Sequence, residues 1–273
     1  MAMEKIQSTP GKWPVLPDDV LLIIPLRNLV LFPGMVVPVS IGRDSSIAAA
    51  QEAVRRGCQV GLILQRDFEA ETPKPEELYR VGTAARILRY ITSQEGGHYI
   101  VCQGERRFRV IEFLDAYPFH VARFEFLQEQ EEQGAGIQAR LLHLKQRAVE
   151  LIELLPQAPA ELVGAAQNMT SASALADFVA GLLDLPVQQK QEILETQNLQ
   201  QRLDKVLELL AGRIEVLKLS HEINTQTRER MDDRQREFLL REQLKTIQKE
   251  LGEAGGEAVE VERLTEAMIK AKM

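Results

Sequence analysis

One uninterrupted helical pattern, at residues 198–251, constrains this chain more than any other part of its sequence. The stretch contains no proline, and Gly212 is its only glycine. About 54 helical residues would extend roughly 80 Å at 1.5 Å per residue, which is much longer than a small domain. Helices of more than about 25 residues are uncommon, so one of this length indicates a particular packing or spanning role.

Apolar side chains follow this helix in two blocks. Leucine and isoleucine at steps of four and three residues predict a face that partner helices must cover. We expect these positions, together with Phe238, to serve helix packing or oligomerisation. The first block is Leu203, Leu207, Leu210, Ile214 and Leu217, and the second is Leu240, Leu244, Ile247 and Leu251.

The stretch between the two blocks is polar. Met231 is its only apolar residue over positions 224–237, so we expect this part to span solvent or to be held by charge pairs. Two interpretations remain for the second block. The helix folds back on itself as a hairpin, or the chain is the front portion of a larger protein that covers this block. We favour the second, because no further partner helices remain in the sequence.

The composition is that of an ordinary soluble globular protein, with 45% hydrophobic and 27% charged residues. A formal net charge of -7 disfavours general attraction to nucleic acid or to anionic membranes. The longest apolar run, residues 20–24, is too short to cross a bilayer. Residues 1–17 lack the features of a signal peptide. We therefore expect a cytoplasmic protein that has no membrane partner.

Two domains with different periodicities are predicted. Residues 1–18 are expected to be flexible, and residues 19–128 show many short strand patterns, one short helix and a hairpin turn at 94–97. This pattern favours a compact, curled β domain. After a charged linker, residues 137–252 form a helical subdomain that includes the long helix, and residues 253–273 read as a linker and the start of a further segment. The predicted fold class is α+β, with an all-α bundle after the β domain.

No catalytic constellation is present. The sequence contains neither the GxxxxGK[ST] phosphate loop nor a GxSxG motif. The four histidines, at positions 98, 120, 143 and 221, are not at zinc-ligand spacings. We therefore predict no catalytic, cofactor-binding or metal-binding residues.

Two surface features suggest binding. Leu31, Phe32, Pro33 and Met35 lie beside a Pro-Gly turn, where an exposed apolar patch would mark an interaction site; the alternative is that they fill the β core. The second feature is a set of arginines on strands predicted to be neighbours, and a basic sheet face of this kind can bind RNA. Its members are Arg86, Arg89, Arg106, Arg107 and Arg109.

Two runs of residues resemble the Lon protease family. Ile24-Pro25-Leu26-Arg27-Asn28, with Leu31-Phe32-Pro33-Gly34 and Pro38-Val39 after it, resembles the opening of the Lon N-terminal domain. The run from Arg236 to Gly252, REFLLREQLKTIQKELG, closely resembles the long helix that leads into the ATPase module of bacterial Lon.

The resemblance implies a PUA-like β domain, a helical bundle and a long helix that form the N-terminal region of an ATP-dependent serine protease. In that family the region selects unfolded or damaged proteins and helps to assemble a hexamer. The expected partners are therefore such client proteins, bound through Leu31, Phe32, Pro33 and Met35, and other copies of the chain. ATP, Mg and the Ser-Lys proteolytic site would belong to domains beyond Met273, so no catalytic residue is carried over. A PUA-like RNA-binding protein that uses the arginine face is the alternative.

Overall fold

A computed structural model describes residues 14, 16–17, 19–93, 96–128, 134–155, 159, 161–250, 261, 263–268 and 270. Within the longest helix it leaves the side chains of residues 224, 228–230, 232–233 and 248–250 undescribed. Most of the predicted segments 1–18 and 253–273, and Leu251 of the second apolar block, therefore lie outside the described residues. The chain divides into two compact units, Met1–Ile214 and Glu215–Met273.

The first half of the chain forms a six-stranded sheet with one α-helix. The strands are β1 (Val20–Leu26), β2 (Val36–Ile41), β3 (Val60–Leu64), β4 (Val81–Thr92), β5 (His98–Leu114) and β6 (Val121–Phe126), and helix α1 (Asp44–Arg56) lies between β2 and β3. A short 3-10 turn, Pro75–Glu77, precedes β4. The predicted β domain with one short helix is confirmed.

The sheet closes on itself, which explains its curled form. Its strand order is β2-β5-β4-β3-β1-β6, and β6 also pairs with β5. Since β6 pairs with β1 on one side and with the second half of β5 on the other, β1, β3, β4, β5 and β6 form a ring. Strand β2 pairs only with the first half of β5, outside this ring. The long β5 and its bulges therefore join a closed barrel to a three-stranded extension.

Apolar side chains from both parts of the sheet form two core clusters. One is centred on β1, β2 and α1, with Ile24, Ala49 and Ile100 fully buried. The other fills the barrel around Ile63 and Phe108. Gly61 and Gly82 let Phe108 approach the strands closely, because a Cβ at either glycine would overlap neighbouring side chains. These contacts make the barrel a packed core.

The second half of the chain is helical, as predicted. Its helices are α2 (Ala135–Leu154), α3 (Glu161–Asn168), α4 (Ala172–Leu182), α5 (Val187–Glu195) and α6 (Leu199–Glu250). Ser171 caps α4 by accepting a hydrogen bond from the Ala174 amide at 3.2 Å. No helix in the part of the chain that the structure describes is both long and apolar enough to span a membrane.

Most of the first apolar block of α6 packs within the first unit, which ends at Ile214. Leu203, Leu210 and Ile214 are buried, and Leu207 is half-buried, as is Leu217 of the second unit. The described members of the second block, Leu240, Leu244 and Ile247, are all more than half exposed. The hairpin that would bury this block is thus not formed by the described residues.

Candidate functional site

The loop at residues 31–35 is folded into the protein. Leu31 and Phe32 are buried, Phe32 completely, so the expectation that these two side chains form an exposed patch is wrong. The Gly34 amide donates to the Gly104 carbonyl, and the Gly104 amide donates to the Met35 carbonyl, both at 2.9 Å. The loop backbone therefore lies directly against β5, which turns Leu31 and Phe32 inward.

A hydrogen bond from β4 also holds this loop. The Thr83 hydroxyl on β4 donates to the Leu31 carbonyl at 2.5 Å. Pro33 and Met35 remain half-buried, and a Cβ at Gly181 of α4 would overlap the Met35 sulfur. Met35 therefore packs towards α4, and client binding by Pro33 and Met35 stays a prediction.

An exposed apolar patch lies instead on the three-stranded extension formed by β2, β4 and β5. Ile91 on β4 and Tyr99 on β5 are direct cross-strand partners and are 45% and 42% exposed. Val36 of β2 pairs with Gln103 of β5. Gln103 lies four residues after Tyr99, so the side chains of Gln103 and Tyr99 are on the same face of β5. Leu88, also exposed, lies at the β4 bulge. We call Val36, Leu88, Ile91 and Tyr99 the sheet-face patch. Sequence analysis missed it because its members are spread over three strands.

The five arginines do not form one basic face. Arg107 is buried against the helices and binds Asp177 of α4, whereas Arg106 lies on the other side of β5 with its guanidinium 3.9 Å from the Phe126 ring centroid. Arg86 and Arg109 form ion pairs with Glu105 and Glu125 at 2.9 and 3.2 Å. The expectation that all five arginines share one exposed face is therefore wrong, because Arg107 is buried and Arg106 lies on the other side of β5; RNA binding by the remaining arginines stays a prediction.

A cleft of about 1020 Å³ opens on another side of the β domain. It is lined by residues 25–29, at the end of β1 and just after it, by residues 38–46, from β2 to the start of α1, and by Glu71, Thr72 and Pro118. Leu29, Pro38 and Pro118 supply apolar lining that is exposed or half-buried, whereas Leu26, Val39 and Ile41 are at most 5% exposed and belong to the core. Arg27 and Arg43 add positive charge to this lining.

Arg43 is held in place by neutral acceptors. Its Nη1 donates to the Pro25 carbonyl at 3.2 Å, and its Nη2 donates to Gln65 Oε1 at 2.5 Å and to the Ala70 carbonyl at 3.2 Å. Its Nε is buried without a hydrogen-bond partner. Burial, with a smaller contribution from the Arg27 charge, lowers the pKa of Arg43. The guanidinium is thus positioned by its hydrogen bonds, but its charge is not neutralised by them.

The exposed face of α6 is the remaining candidate surface. Leu240, Leu244 and Ile247 share one side of the helix, whereas Phe238 lies about 160° around the axis from Leu240. Val216, Leu219 and Ile223 are also exposed. They occupy the same heptad positions as the second block, since Leu219 precedes Leu240, and Ile223 precedes Leu244, by 21 residues or three heptads. We call these six residues the α6 seam. Among the described residues no group of His, Cys, Asp and Glu could hold a metal ion.

Comparison with known proteins agrees with this architecture. The family model described as "ATP-dependent protease La (LON) substrate-binding domain" matches residues 20–212. Lon proteases of Methylocella silvestris and Paraburkholderia phytofirmans are each 51% identical, over 93% and 94% of this chain and 32% of each relative. The chain therefore spans about a third of the length of these curated relatives.

Solved structures show the same fold. The N-terminal domain of Mycobacterium avium complex Lon protease is 22% identical, with a TM-score of 0.60 over 70% of this chain and 98% of that one. A Lon N-terminal domain protein from Xanthomonas campestris is 18% identical, with a TM-score of 0.50 over 69% and 97% of the two chains. The resemblance seen in the sequence is confirmed, and the chain belongs to the family of Lon protease substrate-binding domains.

Proposed function

We propose that this chain is the substrate-recognition and oligomer-assembly region of a cytoplasmic, ATP-dependent Lon protease, and that its substrates are unfolded or damaged proteins. Membership of the substrate-binding domain family supports the general role. The observation that carries the proposal is the sheet-face patch, which leaves four large apolar side chains exposed on one extension of the sheet.

The patch suits the discrimination of unfolded from native proteins. A native protein buries most of its large apolar side chains, whereas an unfolded chain presents them to solvent. An apolar surface therefore binds the unfolded form selectively, without reading a particular sequence. Binding of a few side chains is weak, because association has to offset lost freedom of motion. Weak binding lets a substrate be passed on.

The assembly role is assigned to the α6 seam. Its exposed leucines and isoleucines recur at heptad spacing, which is typical of helices that pair with other helices. In this proposal a second copy of the chain covers the seam, and higher assemblies follow in the complete protease. ATP and Mg binding and peptide cleavage would be carried out by other domains of such a protease.

Substrate recognition is tested with one small disulfide-bonded protein in two forms. The purified chain is titrated with the native protein and with its reduced, carbamidomethylated form, and binding is followed by fluorescence anisotropy. We expect binding of the unfolded form alone. Replacing Ile91→Ser and Tyr99→Ser together should weaken that binding at least about fivefold, since apolar burial contributes roughly 25 cal/mol per Å².

Ile111→Ser is the control, because Ile111 is an isoleucine of β5 outside the patch and is even more exposed than Ile91, at 60% against 45%. Circular dichroism verifies that each variant is folded. Equal binding of the native and unfolded forms, or an equal loss in the control, would contradict the assignment of the patch.

A further inference from the structure

The cleft on the β domain is lined by the exposed or half-buried Leu29, Pro38 and Pro118 and by four charged residues, of which two are arginines. Arg27 and Arg43 both line it, and neither has an ion pair with an acidic residue in the described part of the chain. Asp44 and Glu71 also line the cleft, but both are exposed to water. In the described part of the chain, the hydrogen-bond acceptors of Arg43 are two backbone carbonyls and one side-chain amide oxygen, all of which are uncharged.

Uncompensated charge of this kind attracts an anion. Two like charges near a low-dielectric wall raise the local potential, and the lowered pKa of Arg43 is consistent with this, because both its burial and the Arg27 charge disfavour the protonated form. An arginine held by hydrogen bonds to the protein loses little further freedom when it binds a carboxylate. A carboxylate fits these guanidinium groups, since it binds arginine through charge-assisted hydrogen bonds, and every protein chain carries one at its C-terminus.

The shape of the cleft indicates what carries this carboxylate. Four consecutive residues of β2, at positions 38–41, all line the cleft. Alternate side chains of a strand point to opposite faces, so a cleft lined by four in a row runs along the edge of the strand. Strand β2 is the last strand in the sheet order, with β5 on one side only. A free sheet edge binds an extended peptide through main-chain hydrogen bonds.

We propose that this cleft binds the C-terminal carboxylate of an extended, apolar peptide segment, with Arg27 and Arg43 as the counter-charges. Leu29, Pro38 and Pro118, which line the cleft and are exposed or half-buried, contact the apolar side chains of the segment, and β2 supplies main-chain partners. The volume of the cleft, about 1020 Å³, is at the upper end of the range of ligand pockets and leaves room for several residues. The inference rests on the proposed function, since the peptide is the end of a substrate protein.

The test uses three fluorescein-labelled peptides and anisotropy titrations of the whole chain. The first is Gly-Ser-Gly-Leu-Ala-Leu with a free carboxylate, the second is its C-terminal amide, and the third is the amide with glutamate at the third position. We expect the free acid to bind about tenfold more tightly than either amide, as charge-assisted hydrogen bonds to a carboxylate allow. Equal binding of the acid and its amide overturns the proposal. Tight binding of the glutamate amide overturns the assignment to a chain terminus.

Arg27→Gln is the discriminating variant, because Arg27 is exposed and its loss leaves the hydrogen bonds of Arg43 intact. It should reduce the preference for the free acid to less than about threefold, whereas Arg80→Gln, which removes an exposed arginine outside the cleft, should keep the full preference. An unchanged preference in Arg27→Gln overturns the proposal. If no peptide binds while the unfolded protein does, the cleft assignment fails and the proposed function stands.

Discussion

Arg107 on β5 and Asp177 on α4 form a bidentate ion pair in which the two side chains are 1% and 2% exposed. Arg107 Nη1 donates to Asp177 Oδ2 at 2.8 Å and Nη2 donates to Oδ1 at 2.5 Å. Arg107 Nε also donates to the Leu194 carbonyl at the end of α5, at 3.1 Å. One buried guanidinium thus attaches two helices to the barrel.

Loss of either partner should destabilise the fold strongly. Asp177→Ala leaves the Arg107 charge buried without its carboxylate, and we expect it to lower the free energy of unfolding by about 3–5 kcal/mol. The double replacement Arg107→Met with Asp177→Leu should cost clearly less, because no charge then remains buried. Urea unfolding followed by circular dichroism measures both effects.

An exposed pair provides the control for this experiment. Arg123 and Glu112, at 3.3 Å, are about half exposed, so removal of Glu112 should change stability by less than about 1 kcal/mol. If Asp177→Ala and the double variant lose the same stability, the cost does not come from an unpaired buried charge.

Replacement by alanine should destabilise the protein at Gly104 but not at Gly181. A Cβ at Gly104 would lie 2.5 Å from the Phe32 carbonyl oxygen, which is backbone and cannot move alone. At Gly181 the obstacle is the flexible end of the Met35 side chain, and alanine also favours a helix by about 1 kcal/mol. We expect Gly104→Ala to cost about 1–3 kcal/mol and Gly181→Ala to be nearly neutral. Thermal unfolding measures both effects. Equal losses of stability in the two variants would contradict the described packing of the loop at residues 31–35.

His120 should make the protein less stable in acid. Burial is the main cause that lowers its pKa below 6.5; the Arg43 charge also lowers it, and a backbone hydrogen bond at Pro73 opposes the shift. The unfolded chain therefore binds a proton at higher pH than the folded protein does. This contribution to stability is present above about pH 6.5 and is lost as the pH falls through the folded pKa.

The matched variant is His120→Gln, which keeps a hydrogen-bond donor and cannot titrate. Its free energy of unfolding should depend less on pH than that of the parent chain as the pH falls below about 6.5. The measurement is urea unfolding at several pH values in this range. Parallel pH profiles of the two proteins would exclude His120 as the group responsible.

The fold was predictable from local patterns, because strands, turns and helices each depend on the periodicity and type of neighbouring residues. The helical second half and the burial of Leu203, Leu210 and Ile214 in α6 follow from such patterns. Which side chains are exposed could not be predicted in this way. Phe32 beside a Pro-Gly turn suggested exposure, yet contacts with Thr83 and Gly104, both more than 50 residues away, bury it.

The same limit explains the arginines and the sheet-face patch. Whether Arg107 faces solvent depends on α4, which is 70 residues away along the chain. The patch forms only because β2, β4 and β5 are placed side by side with a particular register. Such a register is set by tertiary packing, so sequence periodicity alone could not bring these residues together.

The α6 seam predicts that the chain self-associates through Leu244. Leu244 and Leu239 are 56% and 54% exposed, yet only Leu244 belongs to the seam, because Leu239 lies about 100° from Leu240 around the helix. Leu244→Gln places a polar side chain in the paired face of both copies and should raise the dissociation constant of the dimer at least about tenfold. Leu239→Gln should leave it unchanged. Sedimentation velocity over a range of concentrations gives both constants, and a chain that stays monomeric, or two variants that behave alike, would show that the seam is not where copies meet.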